Sequence, residues 1–162
     1  MSDSTLLDIF LRLGAATLVG MVLGLNRDLH GKPTGIRTLG LVALGVAVAT
    51  VGVLQTPQAI ASEDAYSRLL QCRVHCVFIG SGFLGGGVIL RNPSAHAVHN
   101  LTTAATVWVT SALGIACAVA NWKVIGMGLA FAFALLALGD RFDKMIARNF
   151  GPQEKETDRP QR

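Results

Sequence analysis

Charge is what this sequence has least of. Asp, Glu, Lys and Arg together make up 15% of its 162 residues, against about 25% in a typical soluble domain. Acids are scarcer than bases, 10 against 14, and too few fall inside the apolar stretches for an evident proton relay or a carboxylate cage around a divalent cation. Cysteine is equally sparse: Cys72, Cys76 and Cys117 are odd in number and form no disulfide framework. No phosphate-binding loop, nucleophile elbow or HExxH zinc motif is present. The net charge of +4 raises the question of nucleic acid. The basic residues gather in connections and in the tail rather than in a continuous stripe, so no nucleic-acid partner is expected.

What the chain has in quantity is apolar residues, 51% of the total, with a mean hydropathy of +0.49. They fall in five runs, roughly 6–25, 36–54, 74–90, 101–120 and 124–139. A hydrocarbon core about 30 Å thick takes roughly 17–25 helical residues to cross. The expectation is an all-α integral membrane protein of about five transmembrane helices, with little polar mass outside the lipid for an enzyme active site. Eighteen glycines fit that class. The start, Met-Ser-Asp-Ser with no basic residue before Arg12, lacks the basic n-region of a signal peptide and reads as part of a retained helix.

Residues 1–140 form the expected transmembrane domain, and 141–162 a short charged cytoplasmic tail with no separate domain. Helix three is expected to begin between Leu69 and Val74 and helix five to end at Asp140-Arg141. Beyond it, Phe142, Met145, Ile146 and Phe150 among Arg and Lys suit a short helix on an anionic leaflet. From Gly151 onward the composition is that of a disordered end.

Orientation follows from basic residues in short loops. Arg27, Lys32 and Arg37, then Arg91 with His96 and His99, then the tail lie on one side; Asp3, Glu63 and Asp64, against Arg68, Arg73 and Lys123, lie on the other. With five spans, this predicts the N-terminus outside and the C-terminus in the cytoplasm.

Several patterns invite a functional reading. Gly20 and Gly24 form a GxxxG, and Gly82 with Gly86, beside Gly85, repeats the spacing. Small residues four apart let helices approach closely, within one chain or between copies. The Gly85–Gly87 triplet could instead break helix three and expose carbonyls to an ion, tolerated only where a cavity or protein covers them. Asp8 and Arg12 share a helix face, as a structural pair or a site. Cys72, His75 and Cys76 share a face too, but with no second ligand pair nearby in sequence they read as ordinary helix residues and no metal site is expected. Arg27, Asp28, Lys32 and Arg37 bracket the first cytoplasmic turn, either as topology anchors or as a polar cluster for a partner, a phosphate or a lipid head group. Thr102, Thr103, Thr106, Thr110 and Ser111 give helix four a hydroxyl-rich stretch, for packing or for a polar lining shared with Asn100.

Three segments in order resemble the MgtC/SapB family of bacterial inner-membrane proteins. Gly20 to Gly45 (GMVLGLNRDLHGKPTGIRTLGLVALG) is similar to the family's G-x-x-x-G-x-E-R…K-P-A-G-L-R-T-H-x-L-V…G. Gly80 to Ile89 (GSGFLGGGVI) is similar to G-I-G-F-L-G-A-G-x-I, and Asn100 to Trp108 (NLTTAATVW) to G-L-T-T-A-A-x-x-W. The likeness covers about residues 6–140. Asn26 stands where the family usually has Glu, Leu39 where it often has His, and Asn100 where it usually has Gly. Gln71 to Ile79 (QCRVHCVFI) does not follow the usual R-x-x-Q-G-I-V-x-G run. Some members carry a soluble regulatory domain after the last helix, for which this tail is too short.

The resemblance implies a multipass inner-membrane protein linked to magnesium limitation and, in some members, to virulence. It also implies regulation of other membrane proteins, the F-type ATP synthase among them. The leading expectation is therefore a non-enzymatic protein, without cofactor, that modulates a partner complex during low-magnesium adaptation. Its candidate polar cluster is Arg27, Asp28, Lys32, Arg37, Asn100, Thr102 and Thr103, and its packing glycines are Gly20, Gly24, Gly82, Gly85 and Gly86. Membrane lipids are expected contacts and a homo-oligomer is open. The alternative is a magnesium or other ion transporter, acting as an oligomer with helix three broken at Gly85–Gly87.

Overall fold

The computed structural model describes residues 3–55, 63–89 and 100–150. They form five α-helices: α1 Asp3–Leu29, α2 Ile36–Leu54, α3 Glu63–Ile89, α4 Leu101–Ala118 and α5 Trp122–Phe150. Each contains a stretch long and apolar enough to cross a membrane. A helix is the form such stretches must take in lipid, because it satisfies every backbone N–H and C=O within its own segment. The loop basics Arg91, His96 and His99, the terminal tail 151–162 and the side chains of Asp3, Glu63 and the 140–150 segment lie outside the described residues, so the expectations placed on them stand as read from sequence.

Two boundaries differ from expectation. Helix α3 starts at Glu63, ahead of Leu69, and runs unbroken through Gln71–Ile79 and the Gly85–Gly87 triplet to Ile89. The break in helix three that the alternative, transporter reading invoked is therefore absent. Glycine weakens a helix by only about 1 kcal/mol per residue, which regular intrahelical bonding in an apolar segment readily outweighs. At position 75 the ring Nδ1 of histidine lies 2.8 Å from the Gln71 carbonyl one turn back, so the imidazole serves its own helix. Helix α5 likewise continues past Asp140-Arg141 to Phe150, since nothing in that stretch is a helix breaker.

The chain turns are built from specific caps. Helix α1 ends with Lys32 N–H donating to the Arg27 carbonyl at 3.1 Å and Gly31 N–H to Asp28 at 3.1 Å. Gly31 takes φ 61. This is a Schellman closure with glycine at the left-handed position, where a Cβ is disfavoured. The same closure ends α4, with Asn121 N–H on Ala116 and Ala120 at φ 58. Asn121 then turns its side-chain oxygen toward Val124 N–H, 3.4 Å away, at the start of α5. One residue thus closes one helix and opens the next, which is why the α4–α5 connection is so short.

Helices α1, α2 and α4 pack against one another, each touching the other two. Gly20 faces the Leu39 carbonyl and Ala43, whose Cβ would stand 2.9 Å from any Cβ built at 20. Gly24 faces the first residue of α2, with Ile36 Cα at 2.5 Å from the same construction, and Gly114 of α4 faces the Ala43 carbonyl at 2.8 Å. Small residues let these backbones close up, and Leu23, Leu39, Ala47, Val107 and Cys117 fill the seam between them. Helix α3 rests on α4 through Gly85 against Ala104 and through Phe78, whose ring centre lies 5.3 Å from that of Trp108. The packing roles of Gly20, Gly24 and Gly85 are thus intramolecular. Gly82 and Gly86 differ: a Cβ at either would meet nothing within 4 Å.

Apart from Thr103, the buried hydroxyls are accounted for within their own helices. Thr106, Thr110 and Ser111 donate to the carbonyls of Thr102, Thr106 and Val107 at 2.7, 2.8 and 3.0 Å. Thr50 does the same toward Val46 at 2.9 Å. These side chains pack; they do not line a polar path. At the far end of the bundle Arg12 pairs with Asp8 at 2.8 Å and donates to the Ala118 carbonyl at 2.7 Å. It neutralises the carbonyl end of α4 and ties α1 to it.

Candidate functional site

Antiparallel passage of the helices brings the C-terminal end of α1, the start of α4 and residues 135–139 of α5 to one end of the bundle. They enclose a cavity of about 260 Å³ lined by Asn26, Arg27, His30, Lys32, Asn100 and Thr103. Thr102 joins this lining, and Leu135, Leu136 and Gly139 close the α5 side.

Arg27 is the centre of the arrangement. Its residue is only 3% exposed. The guanidinium donates to the Thr103 hydroxyl across 76 residues of sequence and to the Pro33 carbonyl at 3.4 Å. A charge taken this far out of water needs several such acceptors. The contact with Thr103 locks α1 to α4, while that with Pro33 holds the turn into α2. His30 lies one turn along from Asn26, with its Nδ1 2.7 Å from the Asn26 carbonyl. A carbonyl can only accept, so Nδ1 carries the proton in that contact. Asn100 opens α4 in the left-handed region at φ 69 and donates from its side-chain amide to the Val88 carbonyl at 3.4 Å. Asparagine tolerates that backbone geometry best after glycine.

Two members of the expected cluster lie elsewhere. Asp28 faces α2, where its carboxylate accepts the Ile36 N–H at 2.9 Å. Gly35 precedes α2 and has no capping side chain of its own, so Asp28 supplies the acceptor from eight residues upstream. A side chain at Gly35 would collide with that carboxylate. Arg37 is exposed and stands at a second, apolar groove of about 510 Å³ between α2, α3 and α4. Leu41, Gly45, Cys76, Gly80 and Leu84 form its walls. So Arg27, Lys32, Asn100, Thr102 and Thr103 come together, while Asp28 serves as a cap and Arg37 belongs to a different surface.

Asn26 and His30 were missed as cavity residues, although their spacing around Arg27 puts them on the same end of α1. Leu135, Leu136 and Gly139 gave no signal, since only the tertiary fold carries α5 past this site. Cys72 and Cys76 are exposed on α3 and Cys117 is buried. Among the described residues, no three His, Cys, Asp or Glu side chains converge as a metal site would need.

The sequence profile of the MgtC family matches residues 13–145. The chain belongs to the MgtC family. Among curated relatives, Protein SrpB of Synechococcus elongatus is 40% identical over 134 residues, covering 78% of this chain and 71% of that protein. Protein SapB of Bacillus subtilis is 34% identical over 92% of this chain and 63% of its own length. Protein MgtC of Salmonella typhimurium is 36% identical over 70% of this chain and 44% of its own. This MgtC-family chain therefore spans under half of the last of these. No solved structure gives a significant match. The family usually has Glu where this chain has Asn26, and Asn26 is buried in the cavity wall. Among the described residues, the lining side chains that carry formal charge are both cationic, Arg27 and Lys32.

Proposed function

We propose that this protein is a non-enzymatic, multipass protein of the bacterial inner membrane that modulates a partner membrane complex during adaptation to low magnesium. In this reading the Arg27–Lys32 end of the bundle faces the cytoplasm, as the excess of basic residues there favours. The link to magnesium comes from the family resemblance, and an F-type ATP synthase is one candidate partner on the same ground.

The observation that carries the reading is the bare small-residue surface of α3. Gly80, with Gly45 of α2 across from it, has nothing within 4 Å of a built Cβ, and both line the apolar groove between α2, α3 and α4. Helix association in lipid relies on close backbone approach rather than on a hydrophobic drive. A surface of this kind suits a transmembrane helix from another protein, with Arg37 at the groove mouth for a polar anchor. The charge of the other cavity supports the same choice over magnesium transport: a lining that contributes Arg27 and Lys32 repels a divalent cation, which prefers carboxylate and water ligands.

The test places a photo-reactive benzophenone side chain at position 76, in the groove wall, in cells grown at low magnesium. Crosslinking to a different membrane protein, reduced by Gly80→Leu in the same groove wall, is the expected result. Crosslinks to a second copy alone, together with magnesium uptake by proteoliposomes of the purified protein, would replace this reading with an oligomeric transporter.

A further inference from the structure

We propose that α1, α4 and α5 form a seat for one anionic phospholipid, with its phosphate in the polar cavity and an acyl chain in an apolar groove directly below. This goes beyond the partner reading and uses a different face of the molecule.

Two observations made on different atoms point to the same ligand. The first is the charge of the cavity. Arg27 is buried in its wall and Lys32 is exposed at its edge. The cavity also lies against Asn100, Thr102 and Thr103, the first turn of the 18-residue helix α4. That turn presents the positive end of the helix dipole and N–H groups without an intrahelical acceptor. Among the residues whose side chains are described, the nearest carboxylate in sequence, Asp28, lines no part of the cavity and is engaged by Ile36 N–H. An anion is thus attracted from three elements, and Thr102 and Thr103 add hydroxyls suited to phosphate oxygens.

The second is the shape of what adjoins it. A groove of about 200 Å³ runs between α1, α4 and α5, walled by Leu23, Ala105, Val109 and Ala132. It shares Thr102, Leu135 and Leu136 with the polar cavity, so the two adjoin across these side chains. Leu135, Leu136 and Gly139 belong to the end of the apolar stretch Trp122–Gly139 of α5. The junction between cavity and groove therefore falls where hydrocarbon gives way to head groups. A cationic cavity at head-group level beside an apolar slot matches an amphiphile, and a free phosphate ion would leave the slot unused.

The test uses the full chain purified in a neutral maltoside detergent, with unfolding temperature and native mass spectrometry as readouts. Phosphatidylglycerol, phosphatidylcholine and inorganic phosphate are added in separate arms. Phosphatidylglycerol is expected to raise the unfolding midpoint saturably and to remain bound at one copy, and the other two to do neither. Lys32→Gln should weaken phosphatidylglycerol about fivefold, the usual worth of one basic residue near an anionic lipid. Ala105→Trp, an exposed change in the groove wall that leaves the charge intact, should also weaken it. Lys123→Gln, at the other end of the bundle, should not. Equal stabilisation by inorganic phosphate would make this a soluble-anion site and overturn the lipid seat. Unchanged binding in Lys32→Gln and Ala105→Trp, or an equal loss in Lys123→Gln, would overturn it as well.

Discussion

Replacing Gly24 by alanine gives the sharpest test of how the bundle is held. The added Cβ would stand 2.5 Å from Ile36 Cα, 2.7 Å from Ile36 N and 2.8 Å from the Gly35 carbonyl carbon. All three are backbone atoms at the start of α2, so no side chain can rotate away. Relief requires α1 and α2 to move apart, which also strains the Asp28 contact to Ile36 N–H and the Arg27 contact to Pro33. Overpacking of this kind costs about 1–3 kcal/mol, set against roughly 1 kcal/mol gained from alanine's helix propensity. With rigid backbone as the obstacle, the upper part of that range applies, leaving a net loss of about 2 kcal/mol. For a chain of this size that is roughly 4–8 °C in unfolding temperature. Gly86→Ala is the matched control. It meets nothing within 4 Å, so only the propensity gain remains and the midpoint should hold or rise slightly. The assay is thermal unfolding of both variants in the same detergent, followed by circular dichroism. If Gly24→Ala unfolds with the wild type, or Gly86→Ala falls as far, the close α1–α2 approach does not hold the bundle together.

Asp28→Ala removes the acceptor for Ile36 N–H; it should cost about 1 kcal/mol, as lost helix caps do, and show as faster hydrogen exchange at the start of α2. Thr103→Val leaves the buried Arg27 without its hydroxyl partner across the α1–α4 seam, so an unfolding loss of about 1–3 kcal/mol is expected, with Thr103→Ser close to wild type. Asn100 at φ 69 should accept glycine with little change, whereas Asn100→Val should lose about 1–2 kcal/mol in the same melts; equal stability of the two would contradict the left-handed start of α4.

Legibility varied with the kind of physics involved. The spans were readable because lipid forces apolar helices wherever apolar runs are long enough. Helix ends were readable where a breaker sits, as at Gly31-Lys32-Pro33, and misjudged where only charge suggested one, as at Asp140-Arg141. At Gly85–Gly87 the propensity penalty was visible, but regular bonding through Ile89 outweighed it. Of the spaced glycines, Gly20, Gly24 and Gly85 pack within the chain and Gly82 and Gly86 do not, a distinction that spacing cannot make. Gly114 was passed over because it sits in no GxxxG.

The candidate site divides in the same way. Arg27 with Lys32, and Asn100 with Thr102 and Thr103, were each visible as local groups of polar residues at helix ends. Their union into one cavity depends on α1 and α4 being antiparallel and in contact, which no local pattern encodes. Asp28 and Arg37 looked like neighbours of Arg27 along the chain, yet helical rotation and the turn at Pro33 send one to cap α2 and the other to a separate groove.

By itself, then, the sequence determined the helical class, the five helices long and apolar enough to cross a membrane and the family, because hydropathy, helix capping and motif order act over short stretches of chain. Only the tertiary structure decided which glycines touch, which charges meet and where α5 closes the cavity. Those depend on rotation and contact between helices distant in sequence, where a turn of 100° per residue sends neighbouring side chains to different surfaces.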